Sequence, residues 1–419
     1  MFISRPFMGI TICLLAIPLA ATASPDEALS LAEAERIAIE RDAERSRLLE
    51  ESGAEREAAQ AQSALPDPEI RLGAMNLPTD TFALDQEPMT QVVLGVRQMF
   101  PPGDTLDFRE EQGEWQSQAR ERMAVDREAR LRRQLRQLLL VRQAAEQRLD
   151  LVQRFRADVQ PLLDARETRY ATGSGQQADY LSARLKLDRL QDREWQAEEQ
   201  LSASVEMLAR LLGDAARGTF QPVKLPEPAE RVATFNGVEY HPLVQAQDAR
   251  IAAGESGEGI AREQFGPSWM LDFSYGRRDG VDMAGADRPD FASAMVSMSV
   301  PLFNRDAKRS AVSAAERRTR AATFGRIDLV RELEARLAEA WSRHADIERQ
   351  LALHDEKLLP TAREVVATTE RAYANDRATL DELVEAWLDQ LDIELRRIEL
   401  VTRRDQLRAD INYLGGHER

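Results

Sequence analysis

Residues 267–301, PSWMLDFSYGRRDGVDMAGADRPDFASAMVSMSVP, alternate apolar and polar side chains in a chain whose other segments carry helical spacing. Trp269, Leu271, Phe273 and Tyr275 alternate with Met270, Asp272, Ser274 and Gly276. Beyond a Gly/Asp-rich loop, Ala294, Val296, Met298 and Val300 alternate with Ser293, Met295, Ser297 and Ser299. A period of two gives a strand one apolar and one polar face. Eight to ten residues is close to the ~9–11 that a tilted strand needs to cross hydrocarbon. The design recurs at 68–101, where Ile70, Leu72 and Ala74 share an apolar face with Val92, Leu94 and Val96, and Glu69, Arg71 and Arg97 take the other. Two hairpins supply four strands, too few to close a barrel, and an open edge does not survive in lipid. Strands of this kind therefore enter a membrane only if several copies of the chain complete one barrel. In that case Leu72, Leu94, Trp269, Leu271, Phe273 and Val296 are expected to face lipid, with Arg71, Arg97, Asp272 and Ser297 facing the lumen.

The remainder is a soluble-looking chain: 419 residues, 31% charged, with a mean hydropathy of −0.47. Residues 1–23 differ, with Arg5 followed by the apolar run Phe7 to Ala20 and then Ala21-Thr22-Ala23, a small-x-small cleavage pattern. This reads as a secretory signal peptide and predicts export to the bacterial envelope. Cys13, the only cysteine, lies in that run, and its flanks GITIC do not form a lipoprotein cleavage box. The mature chain is then expected to lack disulfides, thiolate metal sites, thiol catalysis and a lipid anchor. A net charge of −16 argues against a nucleic-acid partner. No second apolar run approaches the ~18 residues of a spanning helix, so any crossing is made by strands.

Taken in order, Leu29 to Ala64 predicts one long charged helix, stopped by Pro66-Asp67-Pro68. After the first hairpin a helix is predicted from Pro101-Pro102-Gly103 to about Ala171. Leu131, Leu135, Leu138, Ala145, Leu149, Val152, Val159 and Leu163 mark its coiled-coil seam, and Arg142 and Arg156 fill skipped positions. Such a helix reaches roughly 100 Å. Gly173 and Gly175 end it, and a return helix starts near Asp179 and runs to Gly213. Pro222, Pro226 and Pro228 mark 214–240 as a linker. The order then repeats: a helix over 241–264, the hairpin, a helix from about Asp306 to Ala374, a turn, and a last helix to Gly415-Gly416. Pro68 and Pro267 are 199 apart, Tyr170 and Tyr373 are 203, Asp179 and Asp381 are 202, and Gly213 and Gly415 are 202. With Pro101 and Pro301, 200 apart, the near-constant offset through five landmarks is an internal duplication, with repeats at 24–213 and 241–419.

On this duplicated order, the proline-flanked hairpins and the turns RYATGSGQQADYLSA and RAYANDRATLDELVEA, the chain resembles the outer membrane efflux protein family, the TolC-like channels. The turns resemble the family's Tyr-x-x-Gly…Asp-x-Leu pattern, with Asp376 standing where the second copy would have glycine. The opening LSLAEAERIAIERDAE is also similar, with Ala43 where many members carry proline. The resemblance implies a mainly α fold with a small β part. A homotrimer would join a twelve-stranded outer-membrane barrel in lipid to a periplasmic α-helical barrel. It also implies a periplasmic adapter and an inner-membrane pump as partners. The opening and the Pro-Asp-Pro-Glu lead-in to the hairpin look nearest to the heavy-metal branch of the resistance-nodulation-division (RND) systems. The two turns, with Tyr170, Gly173, Asp179, Tyr373, Asp376 and Asp381, are then the expected docking end, and Asp376 and Glu382 would ring the mouth with negative charge. Asp179 and Asp381 are equally explained as first-turn acids favoured by a helix dipole.

Residues that carry other chemistry are sparse. His241, His344, His354 and His417 do not cluster, and His344 and His354 fall on a heptad register with Val330, Leu333, Leu337, Ile347, Leu351 and Leu358. Met295 and Met298 point to opposite faces of their strand. Neither a phosphate loop nor a nucleophile triad has a credible context, so no enzyme activity, metal site or cofactor is expected. The alternative is a periplasmic coiled-coil structural or adapter protein, whose apolar strand faces would pack against a second sheet.

Overall fold

The computed structural model describes residues 28–174 and 176–416. The expected signal peptide with Cys13, and Gly175 and His417, lie outside the described residues. Helix α1 (Leu31–Glu40) opens with a capping box, in which Ser30 accepts from the Glu33 amide and Glu33 reaches back to Ser30. The single helix expected over 29–64 is broken at Arg41-Asp42, and α2 (Ala43–Ser63) starts anew. Asp42 explains the break. Its carboxylate caps the Arg45 amide at 2.7 Å and receives Arg127 at 2.8 and 3.0 Å, so the side chain is worth more outside the helix than in it. The Arg127 bond, backed by the Arg45 amide, holds that carboxyl below its usual range.

Strands β1 (Glu69–Met75) and β2 (Gln91–Phe100) lead into α3 (Thr105–Ala171), which passes Pro161 without a break and returns as α4 (Gln177–Leu212). The expected linker is only partly irregular. A 3₁₀ turn covers Gly213–Arg217, and α5 (Arg231–Gly237) forms past the last proline. Arg142 shows why 216–220 lies where it does. Buried in α3, its guanidinium donates to the carbonyls of Ala216 at 2.6 Å and Gly218 at 2.8 Å and stacks on Phe220. It occupies the seam as an anchor for the linker, not as a gap in the coiled coil. Leu139 and Leu140, not Leu138, complete the buried stripe beside it.

The second repeat follows the same order. Helix α6 (Pro242–Glu263) precedes β3 (Trp269–Arg277) and β4 (Phe291–Met298). Helix α7 (Arg305–Leu353) passes through a π-turn at His354–Leu358 into α8 (Leu359–Ala374), and α9 (Leu380–Leu414) returns. The π-turn absorbs Pro360, whose ring and missing N–H cannot continue a regular ladder. Strand β4 ends at Met298, short of Val300. The four strands form one antiparallel sheet in the order β1-β2-β3-β4, because β2 pairs with β3 and fuses the two hairpins.

Three apolar clusters hold the helices. One joins α1, α3 and α4 around Leu131, Leu135 and Leu208. Another joins α3, α6, α7 and α9 around Val244, Leu337 and Ile411. The third joins α3, α4 and α9 around Val159, Leu190 and Val384. Beside the second lies a buried polar group absent from any sequence pattern. The Tyr413 hydroxyl donates to Asp126 at 2.8 Å, Arg130 Nε lies 2.7 Å from the same carboxylate, and the His241 ring meets Tyr413 edge-on at 5.0 Å.

His241 is fully buried and caps α6, with Nδ1 accepting from the Leu243 amide at 3.2 Å. Burial first, then the cations Arg130 and Arg133, push its pKa down to about 4. A folded pKa below the unfolded ~6.5 gives stability that is complete above about pH 6.5 and is lost as pH falls toward 4, on the order of 3 kcal/mol in all. Asp126, whose carboxyl is pushed up by burial, acts with the opposite sign. His241→Asn keeps a cap acceptor and removes the titration. Thermal unfolding between pH 7.5 and 4.5 is expected to show a shallower acid loss for the variant than for the wild type, and equal slopes would refute the assignment.

Candidate functional site

The sheet separates its side chains more completely than either hairpin suggests. The register sets Leu72 opposite Leu94, Leu94 opposite Tyr275, Val96 opposite Phe273, and Leu271 opposite Val296. One face therefore runs apolar through all four strands, from Ile70 and Leu72 across Val92, Leu94 and Val96 to Trp269, Leu271, Phe273, Ala294 and Val296. Leu72 is 77% exposed, Val296 64% and Phe273 54%, and no second sheet exists among the described residues to cover them. A soluble sheet buries such a face; this one is solvated by whatever surrounds it.

The opposite face carries charge, and the charges meet. Asp272 on β3 receives Arg97 of β2, its register partner, at 3.2 Å and is also bonded by Arg71 from β1. Glu69 pairs with Arg97 at 3.7 Å. Asp272 is only 8% exposed, so two guanidiniums from two strands neutralise one shielded carboxylate. The sequence placed these residues on one face; only the β2–β3 pairing brings them together. Beyond the strands, Arg288 donates to the carbonyls of Asp85, Glu87 and Asp279, and Arg278 to Pro88, which ties the two hairpin loops together.

Both helix turns lie at the same far end, since Lys186 of α4 pairs with Asp381 of α9 at 2.7 Å and Leu163, Ala183 and Leu380 share one cluster. The turns are built alike. The Gly173 amide bonds the Tyr170 carbonyl and the Ser174 amide that of Arg169; the Asp376 amide bonds Tyr373 and the Arg377 amide Ala372. Gly173 has φ +73° and Asp376 φ +57°, so the aspartate takes the left-handed role of the glycine. Short polar side chains tolerate this better than others. Asp376→Gly is expected to keep or raise stability by up to about 1 kcal/mol, whereas Asp376→Val should cost about 1–2 kcal/mol. Thermal unfolding of the two variants decides.

The remaining turn acids have partners. Asp179 pairs with Arg166 at 2.9 Å, Asp381 with Lys186, and Glu382 closes a capping box with Thr379. The Thr379 backbone and then its hydroxyl lower the Glu382 carboxyl. Tyr170 stacks on Tyr180 at 5.1 Å, and Tyr170 and Tyr373 stand at the rim, partly exposed.

The sequence profile of the outer membrane efflux protein family matches residues 38–214 and again 238–414. The chain belongs to the outer membrane efflux protein family. A search of functionally curated proteins finds no relative that matches. Among solved structures, a membrane protein of Pseudomonas aeruginosa is similar at 19% identity with a TM-score of 0.75, over 92% of this chain and 90% of that one. The Campylobacter jejuni CmeC outer membrane channel is similar at 11% identity and 0.73, over 99% and 94%. The outer membrane protein VceC of Vibrio cholerae is similar at 16% identity and 0.72, over 92% and 96%. The fold is thus that of the TolC-like channels, a long helical barrel wall joined to a β-barrel wall. As an outer membrane efflux protein the chain belongs in the outer membrane, with its helices on the periplasmic side. The family assignment sets aside the alternative of a periplasmic coiled-coil structural or adapter protein. The family is one of efflux ducts, not of enzymes.

Proposed function

We propose that this outer membrane efflux protein is the passive exit duct of a tripartite system, assembled as a homotrimer. The observation that carries the proposal is a sheet with an exposed apolar face and two unpaired edges, β1 and β4. Pairing β4 of one copy with β1 of the next closes twelve strands, satisfies both edges, and turns Leu72, Leu94, Trp269, Leu271, Phe273 and Val296 toward lipid and Arg71, Arg97, Asp272 and Ser297 toward the lumen. The helix pairs of three copies then line a periplasmic tunnel. Its six turns, with Tyr170, Gly173, Asp179, Tyr373, Asp376 and Asp381, form the ring on which a periplasmic adapter docks beneath an RND-type inner-membrane pump. The duct moves cargo that the pump energises and catalyses no reaction itself. Heat-modifiable trimers in the outer-membrane fraction are the expected result, and a monomer in the periplasmic fraction would overturn the proposal.

The cargo we put forward is heavy-metal cations, favoured by the opening segment and the Pro-Asp-Pro-Glu lead-in to β1. Deleting the gene is expected to lower survival on metal salts more than on dyes or antibiotics, and the reverse pattern would exclude metal cargo. At the tunnel mouth Asp376, which makes no ion pair among the described residues, and Glu382 would add negative potential that attracts cations. Planar-bilayer recordings of Asp376→Asn and Glu382→Gln should show reduced cation selectivity. Unchanged selectivity would leave the two residues as turn and cap formers.

A further inference from the structure

The methionines of the sheet are not distributed as hydrophobic residues. Of the five in strands, Met75, Met99, Met270 and Met295 stand on the charged face and only Met298 on the apolar one. Burial would favour the other face, although Val93 and Phe291 share this one and Met270 is half-buried. A methionine retains one other property there, a soft, polarisable thioether on a flexible arm. The pairing brings two of these together. Met99 of β2 is the direct partner of Met270 of β3, which puts their Cα atoms about 4.5–5.5 Å apart with both side chains on one face. Met295 of β4 pairs with Asp272, one diagonal step from Met270 at roughly 7–8 Å. The nearest carboxylate is withdrawn, because Asp272 is held by Arg71 and Arg97, and the Ser297 hydroxyl opposite Met270 is a neutral, weak ligand for a soft cation. What the face offers a cation at this point is therefore sulfur.

We propose that Met99 and Met270, with Met295 as a third thioether, form a binding site for soft monovalent cations, Cu(I) or Ag(I). The site lies at the strand ends adjoining Phe100 and Trp269, where the helices α3 and α6 meet the sheet. It rests on the assignment of this face to the lumen, and there it is a way station on the channel wall where the tunnel enters the barrel. Thioethers select soft cations over Zn(II) or Mg(II). They carry no titratable proton, so binding is flat between pH 5 and 7.5, a range over which an imidazole site would release its ion.

The test uses the full detergent-solubilised protein and silver nitrate in chloride-free buffer, with bound silver measured by equilibrium dialysis at pH 5 and 7.5. Wild type is expected to bind equally at both. Met99→Leu/Met270→Leu conserves volume and is expected to lose at least tenfold in affinity, while Met298→Leu on the apolar face loses none. Silver binding unchanged in the double variant, or falling with acid in wild type, overturns the site. The lumen assignment is tested separately by attacking Ser297→Cys and Val296→Cys in assembled barrels with a membrane-impermeant maleimide. Labelling at 297 alone supports the assignment. Labelling at 296 alone would overturn it, whatever the silver result.

Discussion

Leu94→Arg is expected to abolish assembly in the outer membrane. Leu94 lies in the middle of the apolar face, between Leu72 and Tyr275, and is 54% exposed in the single chain. A guanidinium near the midplane of a barrel's lipid face costs about 2–4 kcal/mol. In the proposed trimer three copies multiply that cost to roughly 6–12 kcal/mol, comparable with the whole stability of an ordinary domain. Leu271→Arg is nearer the strand end and should be impaired less. Ser297→Arg, opposite Met270 on the charged face, should assemble normally. Quantifying heat-modifiable trimer in outer-membrane fractions compares the three, and equal yields from Leu94→Arg and Ser297→Arg would refute the orientation of the sheet.

Asp126→Ala should cost about 2–4 kcal/mol, because it strands the buried Tyr413 hydroxyl and takes the carboxylate from Arg130, which is 40% exposed and can be hydrated. Asp126 is 0% exposed in α3 and joins Arg130 at 2.7 Å to the Tyr413 hydroxyl at 2.8 Å near the end of α9. Removing it strands a phenol and leaves a guanidinium without its carboxylate, beside a histidine held neutral by burial. Asp126→Asn retains an acceptor for Tyr413 and should cost less, about 1–3 kcal/mol. Tyr413→Phe, which leaves the Arg130 pair intact, should fall in the same lower range. Thermal unfolding by far-ultraviolet circular dichroism ranks the three variants. A loss below 1 kcal/mol for the alanine would show that the cluster is a passive filler of the joint between the first and second repeats.

Alternation along 69–75, 91–100, 269–277 and 291–298 by itself separates an apolar from a charged face, because a strand's side-chain period is fixed by its backbone. The constant offset of about 200 residues likewise carried the duplicated order, and Asp376 was visible as the residue in a glycine's place. Features that depend on which distant segments meet were not legible. The break at Asp42 required Arg127, 85 residues away, to outbid helix continuation. Arg142 breaks a heptad in the sequence, and only the fold lays the carbonyls of Ala216 and Gly218 over it. The fusion of two hairpins into one sheet set Asp272 between Arg71 and Arg97 and Met99 beside Met270. The Asp126–Tyr413 bond closes 287 residues of chain. Local periodicity is set by the 2.0 and 3.6 residue repeats of the backbone and so is written in the sequence. Pairing between segments is decided by loop closure, register and packing, and no short window of residues records it.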